Sequence, residues 1–268
     1  MTKNGPVALI FHALFVLFMV APILVVCMVA FTSHGYLSLP TDGLSLRWFR
    51  EIANYPEFIR AFWSSIYVGA VSSTIAVILA TPAALAFSRY DFPGKAALSA
   101  FFLSPLMIPH VVLGIAFLRF FTQGGFSGTM TALIVAHVIL VFPFALRLTL
   151  SAATGMDRSI EAAAISLGAG NFTLFRRVTL PLILPGLVSG WALSFIQSFD
   201  EVTMTVFLAA PGTETLPVRM FLYVQDNIDP LVTSVSAVVI AITMIVLIIL
   251  DRLYGLDAVL SGHSDRSS

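Results

Sequence analysis

Charge is scarce in this chain: 14 Lys and Arg and 14 Asp and Glu among 268 residues, 10% in all, balance to zero. Soluble domains carry about a quarter charged residues, so the scarcity excludes an ordinary water-soluble fold. The balance leaves no basic surplus to attract nucleic acid. Cysteine is scarcer still. Cys27 stands alone inside an apolar run, which excludes an internal disulfide or a thiolate metal cluster and leaves a packed apolar side chain. The five histidines, His12, His34, His110, His137 and His263, are scattered without ligand spacing, so neither a metal nor another bound cofactor is expected. No Gly-x4-Gly-Lys-Ser/Thr run occurs. The Gly94-Lys95 pair lacks both the upstream glycine and the following hydroxyl, so the chain has no phosphate cradle and does not itself hydrolyse ATP. A large soluble domain, a low-complexity tract and an internal repeat are missing as well.

What the chain has is apolar length. Hydrophobic residues make up 58% and the mean hydropathy is +0.96. About 20 apolar residues cross a bilayer core as a helix, and six runs qualify: 7–31, 62–87, 96–118, 129–146, 180–208 and 231–250. The expectation is an all-α, polytopic membrane protein of six transmembrane helices forming a single domain over 1–268. The first run exceeds a signal-peptide core and no cleavage pattern follows it, so it reads as a retained span. Lys and Arg fall nine to five on the side holding both termini: Lys3, Arg89, Lys95, Arg147, Arg158, Arg176, Arg177, Arg252 and Arg266 against Arg47, Arg50, Arg60, Arg119 and Arg219. By the positive-inside rule both termini are cytoplasmic. Outside, Leu46 to Phe62 alternates apolar and charged residues and predicts a short interfacial helix with Trp48 at headgroup level. Inside, Tyr90-Asp-Phe-Pro-Gly94-Lys95 predicts a tight turn.

One cytoplasmic segment, 156–179, is organised. Asp157 or Ser159 can cap a helix that continues through Ile160 to Leu167 and ends at Gly168 and Gly170. Asn171 can cap a second short helix through Phe172, Phe175, Arg176 and Arg177, joined by Leu180-Pro181 to the fifth run. The result is a rigid protrusion with an alanine face at Ala162 and Ala163, apolar anchors at Phe172 and Phe175, and a charge at Glu161. Its shape suits a groove on a soluble partner.

The second constellation is Asp200-Glu201, placed by the hydropathy within the fifth span. Ionisable groups inside a membrane cost about 2.5 to 3.5 kcal/mol at its centre and turn toward a cavity or a partner. On a continuing helix, Ser194, Ser198, Glu201 and Thr205 share a stripe, with Gln197 and Asp200 at its edge. Two readings stay open: a water-filled path suited to a cationic solute through charge-assisted hydrogen bonds, or a structural pair with a base such as Arg119 or one on a second membrane chain. His110, after Pro105 and Pro109, either faces the same path or satisfies carbonyls freed by the prolines. His137 reads as packing.

Glu161-Ala162-Ala163, Gly168 seven residues after the glutamate and Leu180-Pro181 together resemble the EAA loop of ATP-binding-cassette importer permeases. Phe92-Pro93-Gly94-Lys95 and Ser198-Phe199-Asp200-Glu201 extend the likeness to the spermidine/putrescine-transport type, over most of the chain. The resemblance implies a type I importer permease of MetI-like fold in a bacterial inner membrane. It implies as partners a homodimeric ATP-binding subunit carrying ATP and Mg, a second homologous permease, a periplasmic or extracellular solute-binding protein and the lipid bilayer. Glu161, Ala162, Ala163, Gly168 and Phe172 carry over as coupling residues, with Glu161 at the ATPase groove. Asp200, Glu201, Ser198, Gln197 and His110 are the expected substrate-path residues. The solute is a small polar cation, with a polyamine favoured over another amine, an amino-acid-like solute, an opine or an aminophosphonate. Two positions depart from the polyamine-type pattern: His110, where an acid commonly follows Ile108-Pro109, and Asn171. The rival classes lack their signatures here, namely repeat symmetry for a secondary transporter and a clustered catalytic set for a membrane enzyme.

Overall fold

A computed structural model describes residues 5–254. Lys3, His263 and Arg266 lie outside the described residues. Among the described residues there is no strand. The helices are α1 (Pro6–Val29), α2 (Arg47–Glu51), α3 (Pro56–Arg89), α4 (Lys95–Leu103), α5 (His110–Gln123), α6 (Met130–Gly155), α7 (Arg158–Ser166), α8 (Asn171–Leu174), α9 (Leu180–Phe199), α10 (Thr205–Leu208), α11 (Leu216–Asp226) and α12 (Leu231–Tyr254). By length and composition four stretches can cross a membrane: Val7–Val29, Pro56–Arg89, Met130–Gly155 and Asn171–Phe199. Lys95–Leu106 and His110–Gln123 form a bent pair that makes a fifth if counted as one span, and Leu231–Val246 is apolar but shorter.

The chain divides into two compact units. The first comprises 5–59 and 220–250. In it α1 is apolar on all sides, and none of its apolar window is buried within this chain. A helix greasy all round is covered by lipid or another subunit. Ser234 Oγ donates to Ala30 O over 3.2 Å, tying α12 to the end of α1. The α2 region fills only part of the expected 46–62 helix. Its helix lasts five residues before a 3₁₀ turn, Ile52–Asn54. Trp48 is buried within this unit, and its indole N–H donates to His34 O at 3.0 Å.

The second unit, essentially 60–219, carries the site. Ala76, Ala80 and Ala84 recur every four residues of α3 and are fully buried with Ala132, Leu133, Ala136 and Leu140 of α6. Small side chains let helices approach closely where lipid supplies no hydrophobic drive. Hydroxyls secure the contacts: Ser72 Oγ donates to Ile134 O (3.3 Å), Ser194 Oγ to Val141 O (3.3 Å), and Trp191 Nε1 to Thr74 Oγ1 (3.0 Å).

Two of the predicted spans are broken. The 96–118 run is not one kinked helix: α4 with its 3₁₀ extension Ser104–Leu106 meets α5 at 97°. Pro105 and Pro109 have no N–H to continue the ladder, and Pro109 (φ −55°, ψ 132°) starts α5 afresh at His110. The 180–208 run stops being helical at Phe199, and α10 begins only at Thr205. At the other end, α8 passes through a π turn, Phe175–Thr179, straight into α9. The second arm of the cytoplasmic segment is therefore the start of a long helix, and its cap position is Gly170 with Asn171 the first helical residue.

Candidate functional site

The break after α9 builds a cavity. About 450 Å³ is enclosed by His110 at the start of α5, Leu140 and Phe144 of α6, Gln197 of α9, and the irregular segment Asp200, Glu201, Val202 and Thr203. Of the predicted path residues, His110, Gln197, Asp200 and Glu201 come together here. Ser198 does not. The helical stripe fails because the helix has ended: Ser194 and Ser198 face α6, and Thr205 opens a separate helix.

Glu201 is 6% exposed and its two oxygens have different tasks. Oε1 accepts the Met204 N–H at 2.6 Å, capping the turn toward α10, and Oε2 lies 2.7 Å from His110 Nδ1. The side chain paired with Glu201 is thus His110, while Arg119 is exposed. Asp200 is exposed beside the same cavity. With Glu201 held by His110 and the Asp200 carboxyl exposed beside it, the pocket has an acidic rim and hydrogen-bonding walls, able to receive an ammonium group.

His137, read from sequence as packing, is fully buried and holds the break together. Its Nδ1 is 2.7 Å from Ser198 Oγ and its Nε2 is 3.0 Å from Thr205 Oγ1. A hydroxyl can donate or accept, so the pair fits either tautomer. One α6 side chain thereby fixes both ends of the 199–205 segment. A signal was available in the sequence, hydroxyls on both flanks of an acidic pair, but nothing local connects them to residue 137.

The organised segment lies elsewhere in this unit. Asp157 caps α7, accepting from Ser159 N at 2.9 Å. That backbone hydrogen bond, with the Ser159 hydroxyl, holds the Asp157 carboxyl below its ordinary value of 3.8. The chain reverses at Gly168, whose φ of +86° is a left-handed conformation that costs other residues strain. Ala162, Ala163 and Gly168 are exposed, and Phe172 is 74% exposed. Leu167, which the sequence reading passed over, is 90% exposed and continues the apolar surface with Ile165, whereas Phe175 is partly buried. Glu161 is 9% exposed and turned inward, bonded to the Arg89 guanidinium and the Thr179 hydroxyl. Among the described residues no three His, Cys, Asp or Glu side chains gather as a metal-ligand set.

Comparison with known proteins agrees with this architecture. The chain is 32% identical over 232 residues to the spermidine/putrescine transport system permease protein PotC of Haemophilus influenzae, covering 87% of this chain and 90% of the relative. It is 30% identical over 236 residues to the putrescine transport system permease protein PotI of Escherichia coli K12, covering 85% and 84%. Among solved structures, a bacterial alginate ABC transporter in complex with an alginate pentasaccharide-bound periplasmic protein aligns with a TM-score of 0.69 at 16% identity, over 92% of this chain and 93% of that one. That likeness establishes the shared fold. Residues 76–256, more than half of the chain and including both the cavity and the Glu161 segment, match the family of binding-protein-dependent transport system inner membrane components, and the chain belongs to that family.

Proposed function

We propose that this permease forms half of an inner-membrane path for a small cationic solute of the polyamine class. In this reading the solute passes the Asp200–Glu201 cavity, driven by ATP hydrolysis on separate subunits. The observation that carries the reading is the acidic cavity itself: an exposed carboxylate, a buried one, Gln197 and His110 around about 450 Å³. The named relatives transport spermidine and putrescine, which supports the same solute class. Because His110 engages Glu201, Asp200 is the carboxylate presented to the cavity, and one ammonium at a time suits the site. A single exposed acid also fits a smaller amine or an aminophosphonate carrying one ammonium.

The assembly is two ATP-binding subunits, a second permease and an external solute-binding protein. The exposed apolar surface of Ile165, Leu167 and Phe172 supports docking of the loop in a groove of the ATP-binding subunit, with both termini on that cytoplasmic side. Closure of the ATP-binding subunits on nucleotide pushes the loop, and the chain does no chemistry itself.

Reconstitution of the complete assembly in proteoliposomes tests this. Putrescine and spermidine should accumulate on addition of ATP and binding protein, and Asp200→Asn with Glu201→Gln should abolish uptake while leaving the complex assembled. Unchanged uptake in that double variant would sink the acidic-path reading. Accumulation of 2-aminoethylphosphonate in place of polyamines would reassign the solute.

A further inference from the structure

Glu161 opens the EAA-like motif, yet in this structure it does not point outward. Its Oε1 accepts from Arg89, the last residue of α3, and from Thr179, the last residue of the π turn that feeds α9. Arg89 Nη2 also donates to Thr179 Oγ1 at 3.2 Å, closing a triangle. Thr179 is fully buried, and Arg89 is half-buried with its Nε shielded and without a partner, so the contact is partly sheltered from water. Beside it, Arg158 at the start of α7 donates to Ser88 O at the end of α3. Two arginine links therefore cross between α3 and α7, and two further hydrogen bonds, Thr179 to Glu161 and Arg89 to Thr179, reach the root of α9.

We propose that Arg89 and Thr179 are positioning residues of the coupling loop. They clamp α7 through Glu161, so that a push on the loop moves α7, the adjoining end of α3 and the root of α9 as one body. The proposal rests on the reading of α7 as the loop driven by an ATP-binding subunit. In this reading Glu161 holds the lever on its own chain. The apolar surface offered to the partner is Leu167 and Phe172. A charge-assisted hydrogen bond confined between three elements transmits displacement without slack, whereas a lone loop joined through Gly168 would bend.

The test uses the full transporter in proteoliposomes with three readouts: copurification of the ATP-binding subunit, ATP hydrolysis, and solute uptake. Arg89→Gln should assemble in normal amount and hydrolyse ATP, yet lose about tenfold or more in uptake per ATP, since removing the guanidinium strands the largely buried Glu161 carboxylate. Thr179→Val should lose coupling in the same direction, and Thr179→Ser should retain it. A residue that merely supported folding would lower the amount of complex and leave the ratio of uptake to hydrolysis intact. The exchange of charges, Arg89→Glu with Glu161→Arg, should recover part of the ratio lost in either single variant. Arg89→Gln and Thr179→Val complexes with an unaltered ratio would overturn the clamp. If Arg89→Gln fails to assemble, the Thr179 pair decides alone: equal ratios for Val and Ser overturn the proposal. Failure of the unaltered chain to copurify with any ATP-binding subunit would instead remove the coupling reading on which the clamp rests.

Discussion

Replacing Gly186 with alanine probes the packing of α9 on α6, the two helices that contribute Gln197, Leu140 and Phe144 to the cavity. A Cβ placed on Gly186 would lie 2.3 Å from Ala152 Cβ and 3.0 Å from Leu148 O. Carbon atoms in contact sit about 3.5–4.0 Å apart, so the methyl pair falls short by roughly 1.2–1.7 Å. Neither obstacle is the end of a flexible side chain, so the helices must part or roll. Overpacking of this kind costs about 1–3 kcal/mol, while alanine regains up to about 1 kcal/mol of helix propensity over glycine. A net loss of about 0–2 kcal/mol is expected from Gly186→Ala alone, and about 1 kcal/mol from Ala152→Gly by propensity. In the double variant the methyl only changes sides. Propensities cancel, the worst overlap disappears, and stability should return close to that of the unaltered chain, short of it by whatever the Leu148 carbonyl still costs. The coupling between the two substitutions should therefore be about 1–3 kcal/mol in the rescuing direction. Denaturant titration of the purified permease in detergent micelles, followed by tryptophan fluorescence, measures it. Additive single effects, with coupling under about 0.5 kcal/mol, would refute the close α6–α9 approach.

Other perturbations have equally definite outcomes. His137→Leu strands the buried Ser198 and Thr205 hydroxyls, at about 1–3 kcal/mol for an unpaired buried group, and protease should then cut the 200–204 segment faster. Gly168→Ala meets no neighbour within 4 Å, so its penalty is purely the left-handed φ, about 1–2 kcal/mol. It should reduce uptake per ATP without reducing membrane insertion. Asp157 has a folded-state carboxyl held below 3.8 by Ser159, so its capping contribution is present above that value and lost as pH falls through the lower one. Amide protection of α7 should therefore be constant from pH 7 down to about 4 and fall below that, and Asp157→Ala should show the low protection at every pH.

Much of this molecule was legible locally. Apolar runs longer than a bilayer is thick can only be helices when no water is available to the backbone, and α1, α3 and α6 follow from that alone. Asp157 as a cap and Gly168 as the turn were readable because capping and left-handed geometry depend on a few adjacent residues. The breaks were harder. Pro105 and Pro109 signalled a disturbance but not a 97° bend, and the end of α9 at Phe199 has no proline or glycine to announce it. There Glu201 turns inward to cap Met204 N, an alternative that helical periodicity cannot express.

By itself the sequence determined a balanced, charge-poor chain that must live in a bilayer, cannot hydrolyse ATP, and carries an ordered segment at Glu161 and acids at 200 and 201. What only the tertiary structure decided is what those groups touch. His110 is 91 residues from Glu201, His137 is 61 from Ser198, and Arg89 is 72 from Glu161. Periodicity assigns a residue to a face of its own helix. Which side chain waits on the next helix depends on where helices break and how closely small residues let them approach, and that is settled by packing over the whole unit.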